Sequence, residues 1–234
     1  MNASQDIILY RLIIQPISKL NRDEISRCSR AINTIREFSL SGREDNVIQY
    51  SCSQSGKTLC KLQITEDAIG IETSREGVQK ESWNNWSNRI LAALSSSDCL
   101  GWKGSDLAAF DLTHQYRFSK SGNSYEFLRD KLITGSKLCE IIGGLRLLDL
   151  TLQWRAVLEG DIQLAVNITS NQNSRDILQQ SSDASTLIFE FHSLRTMIKS
   201  EESLLPLFTQ QQTRLESWLE EFQIAQKARQ LTVP

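Results

Sequence analysis

The sequence predicts an α+β protein made of two β-α-β-β-β-α units, with antiparallel sheets, helices packed on one face and a pseudo-twofold relation between the units. Two observations carry this expectation. The order strand, helix, three strands, helix can be read twice, on either side of a break near residues 95 to 106. In both halves the period switches between the two of a strand and the 3.6 of a helix, and a sheet with an apolar face needs helices to cover it. The units are expected at residues 1–97 and 107–234, joined by a connector at 98–106, the second ending in a long C-terminal helix.

The first strand is expected from Ile7 to Ile14, apolar on both faces and stopped by Pro16. A helix from Arg22 to Phe38 follows from Ile25, Cys28, Ile32, Ile35 and Phe38 at helical spacing, with Asp23 and Glu24 near its positive end. Three short segments, 47–52, 58–64 and 68–73, separated by SQSGK and TED, form a meander. In ESWNNWSNRILAAL, Trp83, Trp86, Ile90, Leu91 and Leu94 form a helical stripe, and Ser82 is the expected N-cap.

The connector SSSDCLGWKGSD carries no period. Beyond it Phe110, Leu112, His114, Tyr116 and Phe118 alternate with Asp111, Thr113, Gln115 and Arg117, the pattern of a strand with one polar face. Asn123 and Glu126 form a capping-box-like start for a short helix striped by Tyr125, Leu128 and Leu132. Alternation at 148–158 and 162–168 around Glu159-Gly160-Asp161 predicts a long hairpin, and a polar stretch, 170–185, precedes a strand over 186–192. The last helix enters at Pro206, with Phe208, Leu215, Trp218, Leu219, Phe222 and Ala225 as its core stripe.

At 234 residues the chain is long enough for a sizeable core. Lys plus Arg is 26 against 28 for Asp plus Glu, so no global positive field favours nucleic acid. The first apolar run is too short to span a bilayer, and the expectation is a soluble, cytoplasmic protein that binds no membrane. Five cysteines without a C-x-x-C pair read as buried free thiols, although Cys52 and Cys60 flank the proposed hairpin turn.

Few residues carry a chemical signal. SCSQSGKT, residues 51–58, imitates a P-loop end, but Ser51 replaces the first glycine and the following LCKLQI alternates like a strand, so a hairpin turn is expected. His114 shares its face with large apolar residues and reads as a core histidine. His192 stands two residues from Glu190 on one strand face, which permits an acid-base pair without a recognisable nucleophile. No local cluster offers a metal three or four ligands, so neither metal nor cofactor is expected. Trp83 and Trp86 read as core. The polar strand positions of the second unit define the candidate binding face: Arg117, Gln153, Arg155, Gln163, Asn167, Glu190 and His192. Arg117 and Arg155 are the arginines there suited to an anion or an acidic partner.

Three segments, LCKLQITEDAIGIETSREGVQKESWNNWSNRILAAL, LESWLEEFQIAQKARQL and the opening strand, together resemble a family of prokaryotic proteins of about this length, sporadically distributed among bacteria and without an assigned activity. The resemblance covers about a third of the chain. It carries W-x-x-W at Trp83 and Trp86 and the spacing of Phe222, Ile224 and Arg229. Where the family's central strand has an Arg-Tyr-apolar-Asn run, this chain has HQYRF at 114–118, so no role for that asparagine transfers. The resemblance implies a duplicated α+β fold and a patchy distribution linked to mobile elements or to defence.

Three functions are compatible with these residues. The first is a non-catalytic protein-binding or assembly module, a homodimer or an accessory subunit of a bacterial complex. The second is nucleic-acid recognition by the curved sheet, using Arg117, Arg155, Arg11 and Lys61. The third is a hydrolase-like enzyme using His192, Glu190 and Arg155 at the unit interface.

Overall fold

The computed structural model describes residues 5–44, 46–73, 78–120, 151–157, 162–171, 185–196, 198 and 201–231. Along the chain these form β1 (Gln5–Pro16), α1 (Arg22–Asn33), β2 (Ser39–Glu44), β3 (Val47–Gln54), β4 (Lys57–Ile64), β5 (Ile69–Thr73) and α2 (Lys80–Ser95). A 3-10 turn at Gly104–Asp106 leads into β6 (Leu107–Lys120), β7 (Thr151–Val157), β8 (Ile162–Asn171), β9 (Ser185–Thr196) and α3 (Leu204–Leu231). The protein is mixed α+β. The nine strands among the described residues form one sheet in the order β2-β3-β4-β5-β1-β6-β9-β8-β7, and each of these pairings is antiparallel.

Among the described residues the three helices all cover one face of that sheet. Tyr10, Leu12 and Ile14 of β1 and Phe110, Leu112, His114 and Tyr116 of β6 point to it with Tyr50, Leu62 and Ile71, and every one of these is buried. Against them pack Ile25, Cys28 and Ile32 of α1, Trp83, Ile90 and Leu94 of α2, and Leu204, Leu207, Phe208 and Leu215 of α3, in one apolar cluster. Trp83 is the keystone. Its ring stacks on Tyr10 at 5.3 Å and meets Phe208 at 6.3 Å, so a single side chain couples α2 to β1 and α3.

Local signals explain most boundaries. Asn21 caps α1 through its side chain, which accepts from the Asp23 and Glu24 amides, while Glu24 accepts from the Asn21 amide. The expected helix to Phe38 is shorter: α1 stops at Asn33. Thr34, Ile35 and Phe38 continue in tight turns whose amides bond to the carbonyls of Ala31, Ile32 and Ile35, which keeps Ile35 and Phe38 on the buried side. The helix expected to cap at Ser82 begins three residues earlier, after Gln79, without a side-chain cap bond. The meander has four strands, since Ser39–Glu44 adds an edge strand to the three expected. The connector is packed into the body: Cys99 and Trp102 are buried, and Gly101 takes a left-handed φ of 63° in its turn. The helix expected near 123–132 and most of the polar stretch 170–185 lie outside the described residues.

SCSQSGKT is a β-hairpin between β3 and β4 with Ser55 and Gly56 as its two-residue loop. Both residues have positive φ, 52° and 78°, as the primed turns that suit strand twist demand. Serine is the costlier of the two in that region. Replacing Ser55 with asparagine, which tolerates the left-handed conformation better, is expected to raise stability by a few tenths of a kcal/mol. Gly56→Val is expected to lower it by about 1–2 kcal/mol; urea midpoints of the two variants check both signs.

Candidate binding site on the polar sheet face

The sheet register arranges the other face into rows that run across the strands, because residues paired across an antiparallel ladder share a face. One row crosses all nine strands: Ser39, Ser51, Lys61, Glu72, Arg11, Thr113, His192, Ala165 and Arg155. The row on one side holds Leu9, Gln115, Glu190, Asn167 and Gln153. On the other side lie Gln49, Gln63, Gly70, Ile13, Asp111, Leu194 and Gln163.

The register therefore unites some of the expected site residues and separates others. Glu190, Asn167 and Gln153 are consecutive partners in one row. His192 lies in the adjacent row, with Arg155 two strands away along it. Gln163 falls in the Asp111 row. Arg117 pairs with Asp6 and Ile188, four residues along β6 from Thr113 and three strands from β7, so its backbone is on the order of 20 Å from that of Arg155.

A polar cluster occupies the middle of the face. His192 Nδ1 donates to the Thr113 hydroxyl at 3.0 Å and lies 3.7 Å from an Asp111 carboxylate oxygen. Its Nε2 donates to Glu190, whose other oxygen accepts from the Gln115 amide. Arg11 also reaches the Thr113 oxygen, at 3.5 Å. Thr113 is fully buried, while the His192, Glu190 and Asp111 side chains are 17%, 19% and 23% exposed. Burial alone would lower the His192 pKa. The two carboxylates outweigh it and raise the imidazole from 6.5 to about 9. At neutral pH His192 is a fixed cation between two anions.

Asp111 is the residue that sequence reasoning passed over. It was legible as a polar strand position, but its approach to His192 depends on the β6–β9 register, which alternation alone does not specify.

His114 is the opposite case. It is buried on the helical face, edge-on to Tyr10 at 4.9 Å, with Nδ1 3.4 Å from the Tyr116 hydroxyl. Burial, helped by the Lys80 charge, pushes it down to about 3, so it stays neutral. The expected core histidine is observed, and Trp83 and Trp86 are likewise buried.

The order hydroxyl, imidazole, carboxylate in Thr113, His192 and Glu190 imitates a hydrolytic triad. Two features oppose that use. The Thr113 oxygen is fully buried and already bonded to His192 and Arg11, and an imidazole protonated until about pH 9 is a poor general base near neutrality.

Toward β2 the same face opens to solvent, with Gln49, Lys61, Gln63 and Glu72 exposed. Its charges alternate: Lys61 faces Glu72, which faces Arg11. Among the described residues no helix is long and apolar enough to cross a membrane. No protein-family model and no curated protein matches the chain.

Proposed function

We propose that this chain is a non-catalytic binding module that docks a protein partner on the polar face of its sheet, as an accessory subunit of a larger assembly or as a homodimer. The observation that carries this reading is the packing of the three described helices on one side of the sheet, opposite a face whose end toward β2 is exposed with interspersed charges of both signs. Alternating charge suits a protein surface and gives a phosphate backbone no run of cations, which disfavours nucleic acid. The buried hydroxyl and the charged imidazole disfavour a hydrolase built on His192.

The two-unit reading, 1–97 and 107–234 about a connector, fits this proposal as the source of a broad continuous face. Its support is the strand order: in each half the last meander strand, β5 or β9, returns beside the first, β1 or β6, and β1 and β6 pair in the middle. The first half carries one strand more than the expected three.

The test compares wild type with a Gln49→Glu, Lys61→Glu, Gln63→Glu variant in lysate with and without nuclease treatment, together with the solution mass of each. A stoichiometric partner or self-association lost in the variant is the expected result. Identical capture and identical mass for the two proteins would sink the proposal, and a partner that vanishes on nuclease treatment would replace it with the nucleic-acid reading.

A further inference from the structure

Four cysteines, Cys28, Cys52, Cys60 and Cys99, are free and buried among the described residues. Two of them meet across the fold: Cys99 Sγ lies 3.9 Å from Cys28 Sγ. Cys28 sits on the buried side of α1, and Cys99 sits in the turn after α2, where its amide bonds to the Ser96 carbonyl at 3.0 Å. We propose that Cys28 and Cys99 are a redox pair that a hydroperoxide closes into a disulfide, fastening α1 to the turn that follows α2.

The contact needs little rearrangement. A disulfide requires the sulfurs to approach by about 2 Å more, which rotation about the side-chain bonds and a small adjustment of the turn at Gly101 can supply. The two thiols are also unequal. With both thiols neutral, Cys99 donates its S–H to the Cys28 sulfur; once Cys99 ionises, the Cys28 S–H is placed to donate back to the thiolate, and this outweighs burial and, with the Leu100 amide, lowers the Cys99 pKa. The same bond, together with burial, raises that of Cys28. Cys99 is thus the attacking thiolate and Cys28 the resolving thiol.

In the first step the Cys99 thiolate attacks one peroxide oxygen, the O–O bond breaks, hydroxide leaves and Cys99 becomes a sulfenic acid. In the second, the Cys28 sulfur attacks the Cys99 sulfur, the S–O bond breaks and the oxygen leaves as water with the Cys28 proton. The two cysteines lose two electrons and the peroxide gains them. Cys52 and Cys60 face each other in β3 and β4, but burial, the leading cause for both, raises their pKa values and keeps them as thiols.

The experiment treats the full chain with hydrogen peroxide, blocks remaining thiols by alkylation and maps peptides by mass spectrometry with and without a reductant. The expected product is lighter by two hydrogen atoms, carries a Cys28–Cys99 linked peptide and reverts on reduction. Cys28→Ser should stop the reaction at Cys99 sulfenic acid, captured by a sulfenic-specific reagent, and Cys99→Ser should leave Cys28 alkylatable. The proposal is overturned if both thiols of the wild-type protein stay alkylatable at peroxide levels that fully oxidise glutathione. A linkage through Cys52, Cys60 or Cys139 in place of Cys28–Cys99 overturns it as well.

Discussion

Trp83→Ala is expected to cost about 3–5 kcal/mol of folding stability, the range for removing a buried tryptophan without full collapse of the site. Trp83 is completely buried and lies between Tyr10 and Phe208, so truncation opens a void bordered by a central strand and two helices. Neither neighbour can fill it cheaply. Tyr10 is fixed in β1 between β5 and β6, and Phe208 sits on a helix whose position also depends on Leu204, Leu207 and Leu215. Urea denaturation measures the loss, and Leu40→Ala on the edge strand, at 55% exposure, is the control expected to stay within about 0.5 kcal/mol. A Trp83→Ala loss below about 1 kcal/mol would mean that α2 is not docked through this ring.

The second large effect is a stability profile bounded at both ends by the two histidines. An unfolded histidine titrates near 6.5. His114 remains neutral in the fold to about pH 3, so below 6.5 the unfolded chain takes up a proton that the folded one refuses. Stability therefore falls as pH drops from 6.5 toward 3, by about 5 kcal/mol in total. His192 behaves in the reverse sense. Its folded pKa is raised to about 9, so its contribution is complete below about 6.5 and disappears as pH rises through 9, a loss of about 3 kcal/mol. Urea midpoints from pH 4 to pH 10 should form a dome; His114→Phe should flatten its acid side and His192→Gln its alkaline side. An alkaline side unchanged in His192→Gln would show that Asp111 and Glu190 do not hold the proton there.

Much of the architecture was legible because burial imposed a period. The alternation in β6 and the stripe of α2 both reflect one face meeting the core, and the expected hairpin is present as the antiparallel pair β7 and β8. Ser39–Glu44 escaped notice for the same reason: as an edge strand with almost no buried side chain, it carries no apolar alternation. The stripe of α1 ran past its true end because Ile35 and Phe38 stay on the core side in turns of a different hydrogen-bond pattern. At the candidate site, Glu190 and His192 were readable as same-face neighbours within β9. The third member, Asp111, comes from a strand about eighty positions earlier, and its place beside them is fixed by cross-strand pairing, which no local pattern encodes.

The position of β1 also bears on how the chain is made. Its pairing with β5 can form once residue 73 is available, but its other edge pairs with β6 from Phe118 at one end to Leu107 at the other. During synthesis that edge of β1 stays bare until Phe118 has been made, and a product stalled before Leu107 would carry a long apolar strand open to pairing with its neighbour on the next ribosome.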